Sequence, residues 1–524
     1  MKRLKEYYKR QIEKMGKKQK VIFYTASVIL SILIILSIVS LSYAFFTSII
    51  IGNETASSDV VETGTLSITY TNGQELRGES IEPGWSLSKT FTVENTGTVE
   101  ATYNINWENL TNTFVNKEDL VMSLTSTNGG GTLSESQIRG SGTHINIIKN
   151  IKIDPGIIQE YTLTIEYKNK DYDQSSDMGK SLIGKIEVRD ANEKINEEYI
   201  ATDYIIGKYS EDNTEGLIKL NQPATEQTPE LVEYRYSGSN EEVKNYVSFN
   251  NETWRIIGVI PTDDGTGKYE SRLKIIREES IGLYSWDTSA SGINDSTYLG
   301  SQILGSGINQ WGESGSYEGA DLMRLLNPGY ESESINNSLY WNRESGTCYN
   351  GNNNSTTSCD FSETGLTSEA KSMIGDAKWF TVASESEITT QESYIEERKS
   401  ITTQFIDSGI TLARTTNWIG KIGLIYPSDY GYASSGCRGG EQILYNYNNE
   451  ACTSTNWLYK NAYQWTLVPF YGNKTYVHTV LSHGNVYHNH AYLIAAIHPV
   501  TYLTSNVKIT SGNGTIDSPY KLSL

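Results

Sequence analysis

The 524-residue sequence predicts a mainly β protein with some α structure, in which an N-terminal transmembrane helix precedes a β-sandwich and an α+β domain. Three observations lead to this class. Residues 21–53 contain no charged side chain. The 36 Tyr and 45 Gly, with abundant Asn, Ser and Thr, favour strands and turns over helices. Apolar and polar residues alternate in short runs that are separated by turn signals, as strands require.

The N-terminal segments are those of a membrane anchor or an export signal. Residues 1–20 carry nine Lys/Arg against two Glu, so we expect this segment to stay in the cytoplasm. Residues 21–44 are long enough to cross the hydrocarbon layer as a transmembrane helix or signal anchor. Ser42-Tyr43-Ala44 offers a peptidase site, and cleavage after Ala44 would secrete the chain. The apolar run is longer than that of a cleavable signal, so we favour retention.

The charge balance limits the partners of the exported part. Residues 21–524 hold 34 basic and 60 acidic side chains, a net charge of −26. Nucleic-acid binding needs Lys and Arg along a groove, so this composition argues against it. We expect the membrane to be a partner through the N-terminal helix, and the acidic surface to keep the extracellular part soluble.

Residues 55–189 have the pattern of a β-sandwich, either jelly-roll or immunoglobulin-like. Short alternating runs are separated by turns such as Asn72-Gly73, without helical periods. The predicted strands are 65–70, 88–93, 101–107, 144–153, 160–167 and 182–188. Residues 190–232 are polar and carry two prolines near their end, which indicates a linker.

Residues 81–97, IEPGWSLSKTFTVENTG, resemble the TasA/camelysin family. The position of this stretch, behind an apolar anchor that ends in Ser-Tyr-Ala-Phe-Phe-Thr, also resembles that family. The resemblance covers about a quarter of the chain. It implies an exported sandwich or jelly-roll protein of a Gram-positive bacterium. Because some members assemble into matrix fibres, it also implies self-association through the sandwich as an alternative function.

Residues 233–524 form a Trp/Tyr-rich segment in which strands and helices mix. The predicted strands are 245–249, 253–260, 273–277, 418–425, 465–470, 477–482, 484–487 and 494–503. The predicted helices are 320–326, ended by Pro328-Gly329, and 367–374 and 392–399. This pattern predicts an α+β domain.

This segment resembles a module of unknown function found on exported proteins of Firmicutes. The match includes NNETWRIIG at 250–258, IGLIYPSDYGYA at 422–433 and WTLVP at 465–469. Where related modules carry Arg before the late proline, this chain has His498. The arrangement also looks like the superfold of C-type lectins and formylglycine-generating enzymes. The resemblance therefore implies a lectin-like domain.

The four cysteines are Cys348, Cys359, Cys437 and Cys452. An exported location permits disulfides, and although three pairings are open, pairing within Cys348/Cys359 and within Cys437/Cys452 is the simplest. A zinc site is the competing interpretation. Neither pair has the spacing of a zinc knuckle, so we expect disulfides.

Tryptophans in polar loops are the candidate ligand contacts: Trp286, Trp341 and Trp457. Flat aromatic faces stack on sugars, so these side chains predict a glycan-binding surface. Core packing is the alternative for any tryptophan. We expect it for the three that sit in apolar strands, Trp254, Trp418 and Trp465.

His488 and His490 are the candidate metal ligands. Five of the six histidines lie between 478 and 498, and on a strand these two would share one face. The alternative is that they are polar residues of an exposed strand. No neighbouring Cys or paired carboxylate completes a ligand set, which favours this alternative.

No recognised catalytic motif is present: the sequence has no G-x-S-x-G, no H-E-x-x-H and no phosphate-binding loop. We therefore predict no catalytic residue and no cofactor. The sequence favours a cell-surface protein of adhesin type that binds a glycan or a host surface. A matrix fibre subunit and a secreted hydrolase acting on glycans are the alternatives.

Overall fold

A computed structural model describes residues 16, 49–52, 58–63, 66–73, 77–78, 81–138, 140–192, 197–209, 215–288, 307–313, 319–400, 403–406, 410–413, 415–439 and 441–524. Strands account for 42% of the described residues and helices for 12%, so the predicted mainly β class is confirmed. The chain divides into two compact units, Met1–Ile195 and Asn196–Leu524. The predicted transmembrane helix at 21–44 and most of the predicted cytoplasmic segment lie outside the described residues. Within the described ranges, no helix combines the length and the apolar character needed to span a membrane.

The first unit contains two sheets of strands. Its strands are β1 (Ile49–Gly52), β2 (Ser58–Thr63), β3 (Leu66–Thr71), β4 (Arg77–Gly78), β5 (Ser86–Asn95), β6 (Ala101–Asn112), β7 (Leu120–Ser126), β8 (Leu133–Gln137), β9 (Gly142–Thr143), β10 (Ile145–Ile153), β11 (Ile158–Tyr167) and β12 (Ser181–Asp190). One sheet has the order β2-β3-β5-β11-β7-β8. The other joins β4, β1, β12, β6 and β10, and its β1–β12 pair is parallel. Short 3₁₀ turns at Lys117–Asp119 and Ser175–Asp177 complete this unit.

The two sheets of the first unit pack face to face around one apolar core. Burial alternates along all ten residues of β12, as a strand with one face in a core requires. Tyr103 of β6 and Tyr161 of β11 belong to different sheets, and their hydroxyls are 2.6 Å apart inside the core. This arrangement agrees with the predicted β-sandwich. The predicted strands between 65 and 188 correspond to β3, β5, β6, β10, β11 and β12.

The second unit mixes strands and short helices. Its strands are β13 (Glu198–Ile200), β14 (Leu217–Gln222), β15 (Leu231–Tyr236), β16 (Tyr246–Phe249), β17 (Glu252–Asp263), β18 (Tyr269–Arg277), β19 (Leu283–Ser285), β20 (Ser345–Tyr349), β21 (Thr356–Asp360), β22 (Ala377–Phe380), β23 (Thr403–Ile406), β24 (Ile410–Ala413), β25 (Asn417–Gly420), β26 (Ile422–Gly423), β27 (Gln464–Pro469), β28 (Tyr476–Val480), β29 (Val486–His490), β30 (Ile494–Ala496), β31 (Val500–Tyr502), β32 (Lys508–Ser511) and β33 (Tyr520–Ser523). Its helices are α1 (Ala201–Ile206), α2 (Asp321–Leu326), α3 (Leu339–Asn342), α4 (Ser368–Met373), α5 (Thr390–Glu396), α6 (Pro427–Ala433) and α7 (Glu450–Thr453), with a 3₁₀ turn at Leu444–Asn446.

Two sheets organise the second unit. The larger has the order β26-β31-β18-β17-β16-β33-β32-β13, and β15 joins it through β17. The smaller has the order β19-β30-β27-β28-β29, so the hairpin β28–β29 forms one of its edges. Aromatic and aliphatic side chains of both sheets and of the helices share one core, which includes Trp254, Trp379 and Trp465. The smaller sheet holds the site described below.

The structure differs from the predicted elements at four places. The predicted strand 418–425 is two strands in different sheets, β25 and β26. Residues 198–222, within the predicted linker, contain β13, α1 and β14 of the second unit. The predicted strand 494–503 is two strands in different sheets, because Pro499 between them has no N–H to continue a ladder. The predicted helix 392–399 begins earlier, at Thr390, since Thr389 and Glu392 form a capping box.

Candidate functional site

The hairpin β28–β29 places imidazole and phenol rings on one face of the smaller sheet. Its register opposes Tyr476 to His490 and His478 to His488, with the turn at Ser482–Gly484 between the strands. Residues two apart on a strand point to the same side. These four side chains therefore share a face, as we predicted for His488 and His490.

Five side chains form a continuous aromatic–imidazole row on this face: Phe470, Tyr476, His488, His490 and Tyr492. His488 stacks on Phe470 with ring centroids 3.7 Å apart and lies 5.1 Å from Tyr476. His490 lies 4.3 Å from Tyr476, edge to face, and stacks on Tyr492 at 4.9 Å. All five rings are partly exposed, so the row presents aromatic surface to solvent.

Buried contacts hold one end of the row in place. His478 is buried, and its Nε2 lies 3.0 Å from the carbonyl oxygen of Ser384. The Oγ of Ser386 lies 3.0 Å from Nδ1 of His488. Ser384 also forms an isolated β-bridge with Phe470, so the row is attached to the core rather than to a free loop.

The imidazoles of the row are neutral near pH 7. Burial, with a smaller contribution from His490, lowers the pKa of His488 to about 4. Burial also lowers the pKa of His490. In His478, burial outweighs the hydrogen bond to Ser384 and lowers the pKa to about 4. The imidazoles of the row are therefore uncharged under ordinary conditions.

The predicted metal site receives no support from the geometry. Nδ1 of His490 lies 3.4 Å from the hydroxyl of Thr475, and Nδ1 of His488 faces Ser386. In the part of the chain that the structure describes, no three His, Cys, Asp or Glu side chains converge as metal ligands would. Both imidazoles instead contribute their ring faces to the row.

Two of the three predicted tryptophan contacts are placed differently from expectation. Trp286 and Trp457 are fully buried, and their indole N–H groups donate to the carbonyl oxygens of Thr466 and Tyr236. Because these rings have no exposed face, neither can stack on a ligand in this conformation. Trp341 on α3 is half-buried, with the ammonium of Lys371 5.3 Å from its ring centroid. A tryptophan with polar neighbours in sequence can still be buried, because its indole N–H can donate to a buried acceptor.

Both predicted disulfides are confirmed. Cys348–Cys359 cross-links the hairpin β20–β21, and Cys437–Cys452 joins the segment after α6 to α7. Two disulfides of short sequence separation suit a protein that folds in an oxidising compartment.

A buried ionic cluster lies elsewhere in the second unit and is a core feature. Asp429 accepts from Nη1 of Arg235 at 2.6 Å and from Nζ of Lys274 at 2.5 Å. Burial alone would raise the pKa of Asp429, but the two cations outweigh it and hold the pKa at about 2. Burial lowers the pKa of Lys274 to about 8. All three side chains are at most 1% exposed, so no substrate reaches them.

Sequence reasoning identified the two histidines of the row but missed Phe470, Tyr476 and Tyr492. If the two strands had been paired across the Ser482–Gly484 turn, the sequence would have predicted the contact between Tyr476 and His490. Comparison with known proteins adds nothing to this geometry: no protein-family model matches the chain, and no curated protein matches it. The candidate site therefore depends on the aromatic–imidazole row alone.

Proposed function

We propose that this chain is a membrane-anchored bacterial cell-surface protein that binds an extracellular glycan through the aromatic–imidazole row. The single observation that carries the binding proposal is the continuous row of five partly exposed rings. Sugar rings present apolar C–H faces, which stack on aromatic side chains. An uncharged row suits a neutral saccharide better than an ionic ligand.

The cellular location rests on the sequence. An uncharged segment at 21–53 behind a basic leader supports an anchored chain with its bulk outside the cell. The two disulfides agree with an extracellular environment. Fractionation of expressing cells, with mass spectrometry of the mature N-terminus, tests this location. Intact Met1 in the membrane fraction supports it, whereas a chain beginning at Phe45 would make the protein secreted.

The binding proposal is tested with the full chain, solubilised in detergent, on an array of neutral glycans. His490 and Tyr492 form one end of the row and are partly exposed, so His490→Ala and Tyr492→Ala remove stacking surface without entering the core. Each stacking contact contributes about 0.5–1.5 kcal/mol, so each substitution should weaken binding about two- to thirteenfold.

His483 provides a matched control. It is an exposed imidazole in the turn of the same hairpin and lies outside the row. His483→Ala should bind like the wild type. If a His490→Ala/Tyr492→Ala double variant bound glycan as strongly as the wild type, the row would not be the glycan-binding site.

We give second place to a fibre subunit that self-associates through the sandwich. A second copy would have to pair with an edge strand, and the edges formed by β8 and β10 carry register shifts. Such bulges interrupt the ladder of backbone groups that an added strand needs. Electron microscopy of the concentrated protein tests this alternative, and regular filaments would move it to first place.

A further inference from the structure

The loop between β11 and β12, residues 168–180, borders a cavity of about 250 Å³ within the first unit. The apolar part of the cavity wall is formed by Ile81, Pro83 and Met178. Tyr167 and Tyr172 add aromatic surface, and an amide and charged groups of the loop complete the lining. This cavity is unrelated to the row of the second unit.

Buried carboxylates hold the loop in one shape. Asp119 is fully buried and accepts from Nε2 of Gln174 at 2.7 Å. Asp177 accepts from the backbone N–H of Asn116 at 3.2 Å and from the hydroxyl of Tyr167 at 3.2 Å. A cavity whose walls are already ordered spares a ligand the entropy of ordering them.

Tyr172 is the most informative residue of the lining. Its side chain is 47% exposed, although its hydroxyl donates to the buried carboxylate of Asp119. The hydrogen bond at its hydroxyl restricts the motion of the ring, which lines the cavity. The ring is therefore a stacking platform of restricted motion.

The size and polarity of the cavity define the ligand. Its volume is below the roughly 300–1,000 Å³ of pockets for drug-sized molecules, so it suits one ring-sized group. The side chains of Asn169, Lys170 and Asp173 are exposed on its polar side and offer both donors and acceptors. We propose that this cavity binds one pyranose ring of a saccharide, stacked on Tyr172 with its hydroxyl groups bonded to Asn169 and Asp173.

The experiment is saturation-transfer NMR on the full chain with glucose, galactose, mannose and N-acetylglucosamine, each added alone. Transfer to the ring protons of at least one sugar is expected, and Tyr172→Ala should weaken the affinity for that sugar about two- to thirteenfold. Asp173→Asn should weaken it as well. Asp173 is exposed, and although its Oδ1 accepts from the backbone N–H of Ser175 at 2.9 Å, Asn keeps an oxygen for that bond, so this variant tests the site even if Tyr172→Ala disturbs the loop.

Two controls separate this cavity from other sites. Tyr463 in the second unit is also 47% exposed, so Tyr463→Ala is a matched aromatic loss and should leave the affinity unchanged. Tyr492→Ala alters the row, so a loss of affinity in this variant together with wild-type affinity in Tyr172→Ala would assign the bound sugar to the row and not to the cavity. No transfer to any of the four sugars would overturn the proposal. Wild-type affinity in both Tyr172→Ala and Asp173→Asn would overturn it as well.

Discussion

Acid is expected to destabilise the second unit through His478, and His478→Gln is expected to remove that sensitivity. His478 is 1% exposed, and its Nε2 meets the carbonyl oxygen of Ser384 at 3.0 Å. The amide nitrogen of Gln can donate to the same oxygen, but Gln takes up no proton. The substitution therefore keeps the hydrogen bond and removes the titratable group.

The magnitude follows from the difference in pKa between the two states. The pKa of His478 is about 4 in the folded protein and 6.5 in the unfolded chain. Between these values the unfolded chain binds the proton more readily, so the free energy of unfolding rises with pH. The contribution is fully present above pH 6.5 and is lost as the pH falls through about 4. This loss amounts to about 3 kcal/mol between neutral pH and pH 4.

Urea unfolding followed by tryptophan fluorescence measures this effect, since eight of the ten tryptophans belong to the second unit. The free energy of unfolding is compared at pH 7 and near pH 4 for the wild type and His478→Gln. The wild type should lose about 3 kcal/mol more than the variant. Buried His498 titrates in both proteins, so the difference isolates His478.

The exposed His483 again supplies a control, because His483→Gln should keep the wild-type dependence on pH. Equal losses of stability in the wild type and in His478→Gln would refute the reasoning. That result would mean that His478 is solvated or already protonated in the folded protein.

Three further predictions concern stability. Replacing Cys437 and Cys452 by Ser should cost about 3 kcal/mol, the value for a closed loop of this length; calorimetry that finds no change would show that the pair is reduced in the native protein. Asp429→Asn removes the carboxylate partner of buried Lys274, whereas Arg235 keeps Glu233 at 2.7 Å; the change should cost about 3–5 kcal/mol, measured as the shift in urea midpoint. Trp457→Ala should cost about 3–5 kcal/mol because it empties a core site, whereas Trp341→Ala on the half-buried α3 should cost less; equal thermal shifts would contradict their assigned burial.

Local patterns predicted much of the fold because they depend on neighbours in sequence. The alternation in 182–188 predicted β12, and the Pro328-Gly329 stop predicted the end of α2. The disulfides also followed from short separations, since nearby cysteines meet without any knowledge of the tertiary structure. The same reasoning placed His488 and His490 on one strand face.

The sequence by itself determined the mainly β class, the local disulfides and the shared face of the two histidines. Only the tertiary structure decided what those side chains touch. Trp457 is buried because its indole N–H reaches the carbonyl oxygen of Tyr236, which lies 221 residues earlier in the chain. Phe470 joins the row because the packing of β27 and β29 into one sheet brings its ring onto His488. Exposure and ring stacking depend on contacts between distant segments, which periodicity and local composition do not encode.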